Sequence, residues 1–113
     1  MKKKFERVVM LSDFYGSMLT KKQTDALRLH YENDWSLAEI ADVTGSSRQA
    51  VHDLIKRSVE ALENYEKQLG FVDKYIGNRQ ILDEALSLLQ DKPLNDSRLE
   101  TVHDLLLRLN HSI

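Results

Sequence analysis

The stretch Ser36–Arg57, SLAEIADVTGSSRQAVHDLIKR, leaves this chain little freedom in its local structure. Ser36 and Glu39 are spaced so that each side chain reaches the other's free backbone N–H at a helix start. A helix therefore begins near Leu37. Trp35 and Ile40 stand where a residue before the cap meets the fourth helical residue and fixes the entry angle. Leu37, Ile40 and Ala41 make a short apolar stripe and Val43 ends the run. Gly45 follows, where glycine accepts a left-handed backbone without steric penalty. Ser47 then caps a second helix, whose apolar residues Ala50, Val51, Leu54 and Ile55 recur on one face. Two short amphipathic helices joined by a glycine turn also occur as plain structural hairpins. Two caps, a hydrophobic staple and a glycine turn within one stretch favour a helix-turn-helix.

In that motif the second helix presents its first residues to a major groove. Here those residues are Arg48, Gln49, His52 and Asp53, with Lys56 and Arg57 one turn further on. Arg pairs bidentately with guanine and Gln with adenine, while the later Lys and Arg suit phosphates. These six form the candidate nucleic-acid-binding set. Asp53 sets a negative charge in the middle of it.

Composition narrows the partner classes. The 113 residues carry a net charge of −2, which argues against a protein that coats nucleic acid nonspecifically by neutralising phosphates. The charge is unevenly placed. Residues 1 to 57 hold ten Lys and Arg against eight Asp and Glu, and residues 58 to 113 hold six against ten. An anion-binding face is therefore expected in the first half. Cysteine is absent, which removes disulfides, zinc knuckles and thiol catalysis together. No apolar run approaches the roughly 20 residues of a membrane span, and Glu6, Arg7, Ser12 and Asp13 interrupt the N-terminal run before a signal-peptide core forms. A cytoplasmic protein without membrane insertion is expected.

The remaining segments also read as helix. A first helix is expected from about Phe5 to Leu19, with Lys2, Lys3, Lys4 and Arg7 in a solvated N-terminal tail or within reach of phosphate. Thr20 and Gln23 form a second capping box, and the helix they start supports the helix-turn-helix before closing at Asn33-Asp34. His30, beside its apolar stripe, reads as a packed, hydrogen-bonded histidine. The second helix of the motif continues past Arg57, because Val51, Ile55, Ser58, Leu62, Tyr65 and Leu69 keep a helix seam until Gly70. Its distal half is expected to project beyond the compact domain, to expose Glu60, Glu63 and Glu66, and to pack on protein rather than phosphate. Val72 to Leu89 form a further amphipathic pattern, with a possible break at Gly77-Asn78. Pro93 falls in a loop, Asp91 to Asp96, before a final helix carrying Leu99, Val102, Leu105, Leu106, Leu107 and Leu109. That leucine density exceeds what one face needs, so the arm is expected to bury apolar surface against the domain or, as a homodimer, a second copy.

Chemistry-bearing constellations are missing. His30, His52, His103 and His111 show no metal-ligand spacing, and no glycine-rich phosphate loop occurs. His103 and Asp104, neighbours on one helix, are expected to point apart. Ser46, Ser47 and His52 suggest a nucleophile, but Ser47 is better explained as a cap. The chain is read as a non-enzyme without cofactors or metal.

The helix-turn-helix resembles region four of bacterial sigma factors, and the N-terminal part more closely resembles the YlxM-like family of small bacterial proteins. The matching pieces are LSDFYGSMLTKKQ, SLAEIADVTGSSRQAVHDLIKR and LENYEKQLG, in that order, covering residues 11 to 70. In that family the genes commonly sit beside those of the signal recognition particle GTPases, so the resemblance implies a regulatory role in that pathway. A sigma-like motif would further imply DNA contacts at Arg48, Gln49, His52 and Lys56, whereas a targeting role would turn the same face to RNA or protein.

The expected fold is all-α: a helix-turn-helix domain over residues 1–70 with an extended recognition helix, then a helical arm over 71–113. The expected function is a DNA-binding regulatory protein in or near the signal recognition particle pathway. The alternative is a protein- or RNA-binding interaction module of that pathway that keeps the helix-turn-helix as a scaffold.

Overall fold

The computed structural model describes residues 2–90 and 95–112, and these are all-α. Six α-helices follow in order: α1 (Lys2–Tyr15), α2 (Lys21–Leu27), α3 (Leu37–Thr44), α4 (Arg48–Leu69), α5 (Phe71–Gln90) and α6 (Asp96–Ser112). A 3-10 turn, Gly16–Met18, links α1 to α2, and a π-helical segment, Arg28–Glu32, extends α2. The chain divides into two compact units, Met1–Gly70 and Phe71–Ile113.

In the first unit, caps decide where helices start. Thr20 accepts from the Gln23 backbone N–H while the Gln23 side chain accepts from the Thr20 backbone, and Ser36 and Glu39 repeat the exchange. Ser47 Oγ accepts from the Ala50 N–H at 3.0 Å. Gly45 and Gly70 end α3 and α4 at φ +71° and +68°, the left-handed region that glycine enters at least cost. Asp34 takes a positive φ of 60° just after the π segment, in keeping with the tolerance of Asp for that region.

Burial follows the apolar pattern closely. Val8, Leu11 and Tyr15 of α1, Ala26 and Leu27 of α2, Ile40 and Ala41 of α3, and Val51, Ile55 and Leu62 of α4 form the buried set of this unit. Ser58 sits among them fully buried, its hydroxyl donating to the Leu54 carbonyl at 2.7 Å, which satisfies a polar group that burial would otherwise penalise. Trp35 is half-buried, and Val43, at the end of the α3 run, is exposed.

Several expectations are corrected here. Lys2 to Lys4 and Arg7 belong to α1 rather than to a tail. The distal half of α4 packs on α1: Arg7 makes a two-pronged bond to Glu63 at 2.7 and 2.9 Å, and the Tyr15 hydroxyl donates to Glu66 Oε1 at 2.5 Å. Glu66 is therefore buried, not solvated. Tyr65 is half-buried, its ring 6.0 Å from that of Tyr15, and Leu69 is exposed. A tyrosine hydroxyl opposite position 66 supplies the partner that lets a carboxyl leave water.

The second unit is an α5–α6 hairpin. Ala85, Val102 and Leu105 are its buried cluster, with Ile81 and Leu88 packed against it. Ser112 hydrogen-bonds Asn78 near the opposite end of α5, so the helices run antiparallel. The break expected at Gly77-Asn78 does not occur, since α5 is continuous and Gly77 keeps a helical backbone. Asn95 caps α6 by accepting the Arg98 N–H at 2.8 Å, while residues 91 to 94, including Pro93 of the expected loop, lie outside the described residues. No helix among the described residues is long and apolar enough to cross a membrane.

Candidate nucleic-acid interface

The candidate interface is built on the first three turns of α4. Ser47 and Gly45 fix where and at what angle this helix leaves the turn, and the buried Val51 and Ile55 hold its inner face. The outer face is thereby determined. Arg48, Gln49, His52, Lys56 and Arg57 are all exposed, and Asp53 is half-buried among them. Arg48, Lys56 and Arg57 make no ion pair within 4 Å among the described residues. Three cations are thus held on one exposed helix end without an ion pair within 4 Å among the described residues.

Asp53 is the exception. The Gln49 amide donates to its Oδ1 at 3.0 Å, and the His52 ring nitrogen Nδ1 lies 3.4 Å from the same oxygen. Those contacts, His52 first and Gln49 second, with the charges of His52 and Arg57 adding to them, hold the Asp53 carboxyl below its ordinary range. Asp53 is therefore ionised at neutral pH and organises its neighbours instead of offering a contact of its own. Gln49 must exchange that bond before it can pair with a base edge.

The caps stand as expected, and Glu39 is likewise held below its ordinary value, first by the Ser36 backbone bond. His30 is the hydrogen-bonded histidine the sequence suggests. Its Nδ1 lies 2.9 Å from the Trp35 carbonyl oxygen, which fixes that nitrogen as the donor. His103 Nδ1 lies 3.6 Å from Asp104 Oδ1, closer than neighbours pointing apart would be, but both side chains are exposed and the distance is too long for a hydrogen bond. No group of three or more His, Asp or Glu able to hold a metal lies together among the described residues.

Sequence reasoning missed three features. The Tyr15–Glu66 bond joins residues 51 apart, and nothing local marks it. The π-helical Arg28–Glu32 segment turns an expected single helix into two geometries. An aromatic cluster gathers Phe5, His30 and Tyr31, with ring centroids 5.2 Å apart for Phe5–Tyr31 and 4.9 Å for His30–Tyr31, both edge-on. Phe5 lies 25 residues from His30 in sequence, and nothing local marks their meeting.

Fold, caps and turn together define an all-α helix-turn-helix protein. The family model described as "Putative helix-turn-helix protein, YlxM / p13 like", UPF0122, matches residues 2–107. The chain belongs to that family. A UPF0122 protein of Symbiobacterium thermophilum is 47% identical over 96 residues, covering 85% of this chain and 90% of the relative. UPF0122 proteins of Clostridium acetobutylicum and Streptococcus thermophilus are 40% and 43% identical, covering 85% and 86% of this chain and 85% and 84% of the relatives. The family resemblance read from the sequence is thus the family itself.

Proposed function

We propose that the chain is a non-enzymatic, DNA-binding regulatory protein of the cytoplasm that reads a major groove with the start of α4 and acts in the signal recognition particle pathway. The observation that carries the groove-reading role is the exposed set Arg48, Gln49, Lys56 and Arg57 on a capped helix, with its three cations free of ion pairs among the described residues. The pathway rests on the family resemblance alone. Arg48 and Gln49 supply base contacts, while Lys56 and Arg57 take phosphates.

The test is a titration of the full chain against genomic DNA fragments and the particle RNA at two salt concentrations. Arg48→Ala with Gln49→Ala is expected to abolish selection among DNA fragments while the circular dichroism stays unchanged. Selection that survives the double substitution removes this face from the interface. Selective binding of the particle RNA alone would replace DNA as the ligand.

A second reading is favoured by the other unit, where Phe71, Leu86, Leu99 and Leu106 are each at least 46% exposed. In it the chain is a protein-interaction module, a homodimer through α5 and α6, that keeps the helix-turn-helix as a scaffold. Capture of a particle protein that survives nuclease and high salt would support it. Sedimentation velocity showing a monomer at every concentration would remove the homodimer.

A further inference from the structure

Beside the candidate interface, on the α1 flank of α4, lies an open groove of about 400 Å³. Lys4 of α1 and Lys56 of α4 line it, together with the aromatic residues Tyr31 and His52 and the apolar Val59, and Glu60 is the one carboxylate of that lining. Neither Lys4 nor Lys56 makes an ion pair among the described residues. Tyr31 is held by edge-on contacts with Phe5 and with His30, which also lines the groove. Burial also pushes its phenol up, so it stays a neutral hydrogen-bond donor.

We infer that this groove receives one unpaired nucleotide of a nucleic-acid strand, its base against Tyr31 and His52 and its phosphate between Lys4 and Lys56. The inference rests on the proposed role of α4 in binding nucleic acid, because His52 and Lys56 belong to both surfaces. Three observations select this occupant. The volume falls in the range of small-ligand sites and suits a flat heteroaromatic ring with its sugar. Aromatic rings stack on any base without reading its sequence, and lysines neutralise phosphate, which is the pairing that single-strand sites use. His52 and Lys56 line the groove and also stand on the candidate face of α4, so a single strand leaving a duplex bound at that face meets the groove directly. Glu60 opposes a phosphate there, and that opposition gives the inference a signature of opposite sign.

The experiment compares a short blunt duplex with the same duplex carrying a single-stranded overhang of about four nucleotides, by fluorescence anisotropy on the full chain. The overhang is expected to tighten binding about tenfold. Lys4→Ala should remove most of that gain, and Glu60→Gln should enlarge it, with blunt-duplex binding unchanged in both. Lys4 and Glu60 are exposed, so neither substitution threatens the fold. No gain from the overhang, or a loss with Lys4→Ala that is equal for both ligands, overturns the groove and leaves the α4 reading in place. A gain from the overhang without any blunt-duplex binding keeps the groove and removes duplex reading by α4. Binding to neither ligand overturns both.

Discussion

From Arg48 to Arg57, α4 carries three cations and Asp53; from Ser58 to Leu69 it carries Glu60, Glu63, Glu66 and Lys67. The two halves share one continuous helix and one buried face, but they place their charges differently. In the distal half, Glu63 and Glu66 are bonded to Arg7 and Tyr15 of α1. In the proximal half the cations make no ion pair within 4 Å among the described residues, and Asp53 is engaged by Gln49 and His52, with the charge of Arg57 acting on it from one turn away. Charge used internally stabilises the fold; charge left outside is available to a ligand. The long α4 helix thus serves as a fold strut at one end and presents the proposed interface at the other.

Substitutions should therefore separate by half. The largest effect is expected at the proximal end, where removal of Arg48 and Gln49 should take away the proposed base contacts, about 1–3 kcal/mol each, and leave stability within about 0.5 kcal/mol. A drop in the urea midpoint of this variant, with selectivity retained, would break the comparison, since the residues would then belong to the fold.

Next in size is the distal bond between Tyr15 and Glu66. Tyr15→Phe keeps the ring and its packing but removes a donor from a buried carboxyl, an expected loss of about 1–3 kcal/mol. Urea unfolding should show that loss, and nucleic-acid affinity of the folded variant should not change. An affinity change without a stability change would place the distal half in the interface.

The contrast between halves was only partly legible in the sequence. The caps at Thr20, Ser36 and Ser47 and the glycines at 45 and 70 were readable because capping is decided within a few residues. Val51, Ile55, Ser58 and Leu62 were readable because one helix face repeats. Glu66 was not, because its burial depends on a hydroxyl 51 positions away, and charge alone assigns a glutamate to solvent. Helical spacing placed Arg48, Gln49, Lys56 and Arg57 on the exposed side, whereas the capture of Gln49 by Asp53 needed side-chain conformations. The groove at Lys4 and Tyr31 needed tertiary proximity, since α1 and the π segment meet α4 only after folding.

The smallest effect is expected at Arg7 and Glu63, and it sharpens the comparison by its pH dependence. Their side chains are 45% and 41% exposed, so solvent screens the pair and Arg7→Gln should cost only about 0.2–1 kcal/mol at neutral pH. The Arg7 hydrogen bond, followed by its charge, holds the Glu63 carboxyl below its ordinary value of 4.5, although burial pushes the other way. A carboxyl lowered in the folded state adds stability above its unfolded value, and that stability is lost as pH falls through the folded one. The gap in urea midpoint between wild type and Arg7→Gln should therefore persist at neutral pH and narrow once pH drops below 4.5. A gap that stays constant into acid would mean that Arg7 acts other than through its bond to Glu63, as by the packing of its stem.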